Sequence, residues 1–428
     1  MAVAARKTDA GAALLAAWSQ PAGEAVWAGA ARALAARRFV DMGAPIRRDE
    51  YWRFTDPTSL TAEAAPAAAV LSADEAFAEA AGPRLVFVDG VFAPDRSDAL
   101  EGAGVEIQTL RAALATDIHW ARDLFGGLEA RGQSPVDRPL AALNTARATE
   151  GLVIRVGGAA PAPLRLVYLR EKPDADAMVR LVIRLEAGAD LTLLETGAGA
   201  ARLNSVLEVE IADDAAFHHV RTQGRDHERR AATAIFARLG ARSSFKSFTL
   251  AMNGRLTRNE CVIEFTGDDA HARVAGACVG EGDFHHDDTV FITHDAERCE
   301  SRQVFKKVLR DGAVGVFQGK ILVKPGAQKT DGYQISQALL LDGDSQFLAK
   351  PELEIYADDV VCSHGSTCGA VDPTSLFYLT SRGIPRSEAE GLLVLAFLDE
   401  AIAEIEDAGL ADDVRARLAG WLARRGRL

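Results

Sequence analysis

The chain has 428 residues, enough for two or three ordinary domains or one elongated repeat domain. Hydrophobic residues make up 48% and charged residues 25%, which excludes a mostly disordered chain. The formal net charge of −13 disfavours non-specific binding to nucleic acid or anionic membranes. No apolar run of about 18 residues marks a transmembrane helix. The start, Met1-Ala-Val-Ala-Ala-Arg-Lys-Thr-Asp, lacks the basic-then-apolar layout of a signal peptide, so the expected compartment is the cytoplasm. Five cysteines, Cys261, Cys278, Cys299, Cys362 and Cys368, read neither as a disulfide framework nor, without a CxxC pair, as a zinc ribbon.

In chain order, residues 9–40 are Ala-rich, with Leu14, Leu15, Trp18, Val26, Ala30, Ala33 and Leu34 at helix spacing. Ser19-Gln20-Pro21 and Gly23 divide this stretch into two helices. Residues 61–80 form an Ala-rich connection. The spacing of Leu85 to Phe92 around Asp89-Gly90 predicts a β-hairpin. Residues 107–131 read as helical again. From about 151 the pattern changes to short β-rich runs: 164–169, 179–185, 191–194, 206–211, 244–250, 261–265, 314–322 and 353–356. Small polar turns such as Ala212-Asp213-Asp214, Gly267-Asp268-Asp269 and Ala357-Asp358-Asp359 separate them. About 210 residues of this kind, with no crossover helix, would expose edges as an open sheet, so the sheet must close or stack. A solenoid of stacked coils, a β-helix, fits best; a large β-sandwich is the competing reading. At the end, Pro385 and the S-x-x-E pattern Ser387-Glu388-Ala389-Glu390 predict a capping box opening a helix to about Ile405. Residues 392–398 are apolar on nearly every side, which predicts burial on more than one face. Val414, Leu418, Trp421 and Leu422 predict a second, short helix before a solvated Arg424-Arg425-Gly426-Arg427 tail. The resulting division is 1–150 helical and mixed, 151–370 β-helix, 371–428 helical.

Two clusters carry candidate chemistry. His271, His285, His286 and His294 lie among Asp283, Asp287, Asp288 and Asp295, donors suited to iron or zinc. On a strand, His285 and His286 face opposite ways, as do His218 and His219, so surface polar ladders are the plainer reading. Cys362 and His364, by contrast, share one face of an extended segment, and a thiolate beside an imidazole suits a soft or borderline metal or sulfur chemistry. The plainer alternative is a buried thiol and a hydrogen-bonded histidine. Cys368 joins that face only if the extended backbone continues through Gly365. P-loop, Rossmann, nucleophile-elbow and HExxH motifs are absent. A β-helix carbohydrate-cleaving enzyme needs paired carboxylates along one face, whereas Asp213-Asp214 and Asp358-Asp359 sit in turns.

The segments Gln328-Lys329-Thr330-Asp331-Gly332-Tyr333-Gln334, Leu339-Leu340-Leu341, Lys350-Pro351-Glu352-Leu353-Glu354-Ile355-Tyr356-Ala357-Asp358-Asp359-Val360 and Cys362-Ser363-His364-Gly365-Ser366-Thr367 together resemble the SufB/SufD family of iron–sulfur cluster assembly. Asp372, Leu376-Phe377-Tyr378-Leu379 and Ser381-Arg382-Gly383-Ile384 extend the likeness. Arg48-Asp49-Glu50-Tyr51-Trp52-Arg53-Phe54-Thr55 and Leu140-Ala141-Ala142-Leu143-Asn144-Thr145-Ala146 resemble the SufD branch, and the His-Glu pair of the SufB branch is missing. The resemblance implies a right-handed parallel β-helix between helical ends. It implies a non-ATPase cytoplasmic scaffold that pairs with SufB and docks the SufC ATPase through 387–405, with Ser387, Glu390, Leu392, Leu393, Leu395, Phe397 and Leu398 in the docking region. It maps the family's junction histidine to His364, a metal ligand, and the neighbouring thiol to Cys362. Iron or a nascent cluster would be held transiently in the complex, with no cofactor stably bound to the isolated chain. Cys368 departs from the family pattern. A SufB-like subunit or a homodimer is the alternative scaffold reading.

Overall fold

The computed structural model describes residues 7, 11–16, 19–71, 76–100, 105–224 and 226–425. Most of the chain start, Trp18, and Gly426 and Arg427 of the basic tail lie outside the described residues. After the break at Pro21 and Gly23, helix α1 (Val26–Met42) buries Ala28, Arg32, Ala35 and Phe39 along one stripe. Gly43, at φ +70, ends it by donating its N–H to Phe39 O. Strands β1 (Arg84–Val88) and β2 (Val91–Phe92) form the expected hairpin, with Asp89 and Gly90 both at positive φ as a type I′ turn requires. The continuous helical stretch expected over 107–131 is instead broken into pieces. Strand β3 (Glu106–Thr109) leads into α2 (Leu110–Ala115), capped by Thr109, then a 3₁₀ turn at Trp120–Asp123 and α3 (Gly127–Arg131). Gly126, at φ +73, resets the chain direction between the last two. Helix α4 (Pro139–Arg147) then lies on the sheet, with Asn144 donating to the carbonyls of Val179 and Asn204.

From Glu150 the chain winds into a parallel solenoid of two strands per coil. The strands are β4 (Glu150–Val156), β5 (Leu164–Leu169), β6 (Asp176–Leu185), β7 (Asp190–Gly197), β8 (Arg202–Ile211), β9 (Ala216–Gln223), β10 (Arg230–Leu239) and β11 (Ser244–Met252). They continue as β12 (Leu256–Phe265), β13 (His271–Glu281), β14 (His285–His294), β15 (Glu300–Arg310), β16 (Val314–Val323), β17 (Asp331–Leu340), β18 (Gln346–Ile355) and β19 (Val361–Gly369). Odd strands stack into one sheet, ordered β19-β17-β15-β13-β11-β9-β7-β5-β1-β2, and even strands into the other, β18-β16-β14-β12-β10-β8-β6-β4-β3. Alternation sends every second side chain into the bore, where Leu191, Phe217, Phe245, Ile263, Phe265 and Phe305 belong to one continuous core. The corners are the polar turns read from the sequence. Asp214, Arg242, Asp269, Arg298 and Lys329 take left-handed backbone there. The turn acids bind the next coil: Asp213 accepts Ala241 N, Asp214 pairs with Arg242, Asp269 with Arg298 and Asp359 with Lys329.

The C-terminal helices return along the odd-strand sheet. They are α5 (Pro373–Thr380), α6 (Arg386–Ile402) and α7 (Ala408–Arg425), the last an 18-residue helix rather than a short one. The capping box expected at Ser387 does not form. The helix opens two residues earlier than that box needs, after Pro385, so Ser387 lies inside the first turn and Glu390 pairs with Arg386. Val394, Leu398, Ala401 and Ile402 pack with Leu250, Val279 and Val308 of the coil wall. Among the described residues no helix is long and apolar enough to cross a membrane.

Several histidines expected on surface ladders are inside. His219, His286 and His294 face the bore and are buried, as is Asp288, while Asp287 is buried beneath the N-terminal segment. The alternation argument itself holds, since His285 points outward to Thr55 Oγ1 at 3.0 Å while His286 points inward to Lys307. Buried charge is tolerated because it is paired. Arg221 donates to Glu195 (2.9 Å) and Thr233 (2.9 Å), Tyr168 to Glu195 (2.9 Å) and Lys307 to Asp288 (2.6 Å). Burial pushes the His294 imidazole down to about 3, with Asp331 opposing, and lowers His219 and His286 as well. In the unfolded chain each titrates near pH 6.5, so below that pH the unfolded state binds more protons and stability falls as pH falls. We expect urea unfolding free energy to decline from pH 7 to pH 5. His294→Gln is expected to flatten that slope by up to about 1.4 kcal/mol per pH unit. An unchanged slope in the variant would exclude His294 as a contributor.

Candidate functional site

Strands β18 and β19 form the last coil, and among the described residues no strand pairs with their outer edges. Their backbone groups therefore face outward as an open end of the solenoid. β19 stays extended through Gly365 to Gly369, in register with β17: Gly332 beside Cys362, Gln334 beside His364, Ser336 beside Ser366 and Ala338 beside Cys368. Gln334 and Ser336 are fully buried, which marks this row as the inward face, and the Ser336 and Ser366 hydroxyls meet at 2.7 Å. Cys368 therefore does join the face of Cys362 and His364, contrary to the doubt that Gly365 raises. It does not join their chemistry. Four residues of strand separate it from His364 by about 13 Å, too far to share one ion, whereas Cys362 and His364 are about 7 Å apart along the chain. Among the described residues no three His, Cys, Asp or Glu side chains converge as a metal site. The cysteine–histidine pair is thus at most half of a coordination sphere.

The two donors differ in environment. Cys362 is half-buried with Ile321, Val323, Leu353 and Val360, and its Sγ would lie 3.3 Å from a Cβ placed on Gly332. Burial pushes its thiol up, and the backbone hydrogen bond at Gly332 offsets this only in part, so it stays protonated until a cation displaces the proton. His364 is exposed. The three buried thiols are inert by the same logic: burial pushes Cys261 and Cys278 up to about 12 and Cys299 up to about 11. His271, Asp283 and Asp295 lie on the exterior, Asp295 bound to Lys324 at 2.7 Å. Asp214 pairs with Arg242 and Asp359 with Lys329, and Asp213 accepts Ala241 N, so in each of the turns Asp213-Asp214 and Asp358-Asp359 at least one carboxylate is engaged by an adjacent coil.

The segment 48–55 acts as a clamp on the even-strand sheet beside this end. Tyr51 O accepts from Arg258 (2.9 Å) and Gln318 (3.0 Å), and the Arg258 guanidinium lies 4.1 Å from the Trp52 ring centroid. Thr55 donates to Asp287 at 2.6 Å. The Tyr51 hydroxyl donates to Glu352 of β18, and Lys350 Nζ sits 4.0 Å from its ring centroid. The sequence marks this segment only through the resemblance, because its partners lie more than 200 residues away.

On the C-terminal side the expected docking residues separate. Leu398 is fully buried against the coil wall, and Leu395 and Phe397 pack against the same cluster, so these three anchor α6 to its own chain. Lys306 reaches the Phe397 ring at 4.7 Å and pairs with Glu400. Ser387 and Leu392 are exposed, and Glu390 and Leu393 are half-buried. The largest exposed apolar side chains here are on α5, Phe377 and Tyr378, at 72% and 56%. The sequence signal for this exposed apolar pair is two adjacent aromatics on a helix capped by Asp372.

Residues 168–397 match the family model described as SUF system FeS cluster assembly, SufBD core domain. The chain is 28% identical over 388 residues to the iron-sulfur cluster assembly protein SufD of Escherichia coli (strain K12), covering 88% of this chain and 89% of the relative. It is 29% identical over 396 residues to an iron-sulfur cluster assembly SufBD family protein of Synechocystis sp., covering 87% and 86%. It is 30% identical over 257 residues to the iron-sulfur cluster assembly protein SufD of Bacillus subtilis (strain 168), covering 58% of each. A stacked parallel β-solenoid, an open last coil carrying Cys362 and His364, and a core match over more than half the chain lead to one conclusion: the chain belongs to the SufB/SufD family of iron–sulfur cluster assembly and is SufD-like within it.

Proposed function

We propose that this chain is the non-ATPase scaffold subunit of a cytoplasmic Suf assembly complex. In this reading it pairs with SufB at the β18–β19 end, docks SufC through its C-terminal helices, and helps hold iron for the nascent cluster at His364. The residue blocks 1–150, 151–370 and 371–428 then act as clamp, scaffold and docking region. The observation that carries the reading is the unpaired outer edge of β18 and β19, with His364 and Cys362 on the inward face beside it. An edge of this kind is satisfied by strand addition from a second subunit, and strand addition brings that subunit's donors to an incomplete ligand pair. Imidazole and thiol both suit iron, with the thiol becoming a ligand as it loses its proton. ATP hydrolysis belongs to the SufC partner, since this chain has no P-loop. The same edge favours a second reading, a homodimer of isolated chains, because identical edges are also complementary.

Native mass spectrometry after anaerobic co-expression with SufB and SufC is expected to give one copy of this chain, one SufB and two SufC. A mixture with no shared complex would defeat the scaffold reading. His364→Ala is expected to leave that assembly intact while iron retention and cluster formation fall about tenfold or more, a loss of roughly 1.4 kcal/mol of binding. Undiminished cluster yield would remove His364 from the site. Phe377→Asp with Tyr378→Asp is expected to release SufC and leave the SufB pairing unchanged. Retained SufC would move the docking surface elsewhere on the helices.

A further inference from the structure

The inward column headed by His364 continues into the bore as Gln334 on β17, Gln303 on β15 and Val274 on β13, each in register with the next. Successive side chains in such a column stand about 4.8 Å apart, close enough for long side chains from adjacent coils to meet at one point. Gln334 and Gln303 are both fully buried. Neither amide has a hydrogen-bond partner for its oxygen or its nitrogen among the described residues. In this they differ from Glu195, Arg221, Thr233, Asp288 and Lys307 elsewhere in the bore, which are bonded to one another or to neighbours. Buried polar atoms without partners are uncommon in folded chains and point to a group held there. Across the bore stands Gly319, where a Cβ would come within 2.4 Å of Gln334 Oε1. The glycine leaves the amide its place, and a larger residue would displace it. The inward-facing cation on β15, Lys307, lies four residues from Gln303, about 13 Å along the strand. It is neutralised by Asp288 at 2.6 Å, so it does not oppose a cation in the column.

We propose that His364, Gln334 and Gln303 form one divalent-cation site at the mouth of the bore, with an imidazole nitrogen and two amide oxygens contributed by three successive coils. The inference rests on the iron-handling reading of His364 and deepens it. A neutral N/O donor set takes Fe²⁺ or its first-row neighbours in preference to soft Cu(I), and leaves outward positions for solvent or a partner's ligands. The column thus makes His364 the outermost of three donors, so the chain can receive a metal ion before the junction with a second subunit is complete.

The test is anaerobic equilibrium dialysis of the full chain against Co²⁺, an optical probe for Fe²⁺ sites, with thermal unfolding of the metal-free protein recorded in parallel. The wild type is expected to bind one Co²⁺ with a d–d spectrum showing mixed N/O ligation. His364→Ala, Gln334→Leu and Gln303→Leu are each expected to weaken binding tenfold or more. Gln334→Glu, which keeps an oxygen at that place and adds charge, is expected to bind at least as tightly as the wild type. Gln334→Leu, which removes two unpartnered atoms, is expected to unfold at the wild-type temperature or above. Should it unfold, Gln334→Asn, one methylene shorter, tests the same reach and is expected to weaken Co²⁺ binding likewise. If Gln334 and Gln303 variants bind like the wild type while His364→Ala does not, the amide ligands are refuted and the His364 reading survives. If His364→Ala also binds like the wild type, the His364 reading falls with them. A wild type that takes up no Co²⁺ refutes a site held by this chain alone.

Discussion

Each interior strand of the coil, from β6 to β17, pairs in parallel register with the coil above and the coil below it. A structure built this way has two ends that must be managed. At the N-terminal end the two sheets finish in short antiparallel strands, β2 against β1 and β3 against β4, with helices α2 to α4 laid across the flank. At the C-terminal end no strand follows β18 and β19 among the described residues, and the chain leaves for the flank through α5 instead. The asymmetry of the two ends leaves unpaired strand edges, among the described residues, at the C-terminal end of the stack.

The bore and the outer wall divide the remaining work. In the lower coils large apolar side chains and internally paired charges fill the interior, and the close packing of Phe217, Phe245, Phe265 and Phe305 leaves those coils rigid. Pairs such as Glu195–Arg221 and Asp288–Lys307 are stable only as pairs, since removing one partner leaves a buried charge without compensation. Towards the open end the filling becomes smaller and more polar: Gly319, Gly332, Gln334, Ser336 and then Cys362, His364, Ser366. The outer walls are covered by the chain's own extremities. Tyr51, Trp52 and Thr55 clamp the even-strand sheet, and α6 with α7 covers the odd-strand sheet. The coils nearest the open end are thus held on both flanks.

Part of this was legible from residue pattern and part was not. The Asp-Gly hairpin, the polar corners and the β-rich runs at 164–169 or 244–250 follow from local rules, because turn residues and period-2 alternation act within a few positions. Runs rich in charge and histidine, such as 285–294 and 300–310, escape such rules. Their hydrophilic side chains look like surface until the strand facing them across the bore supplies the partner, as Lys307 does for Asp288. The capping box at Ser387 failed because two start signals overlap, and the helix starts after Pro385, two residues before the motif needs it. The place of Cys368 hinged on Gly365, whose neighbours on β17 keep the backbone extended although glycine alone does not require it.

By itself the sequence determined the class of architecture, the corners of the coil, the shared face of Cys362 and His364, and, through motifs spread over some sixty residues, the family. These are properties of short segments and of their order along the chain. Only the tertiary structure decided which charged residues lie in the bore, which residues of α6 are spent on the chain's own wall, and that Gln303, Gln334 and His364 stand in one column. Those facts depend on register between strands far apart in sequence, and register is set by how whole coils pack and not by any local preference.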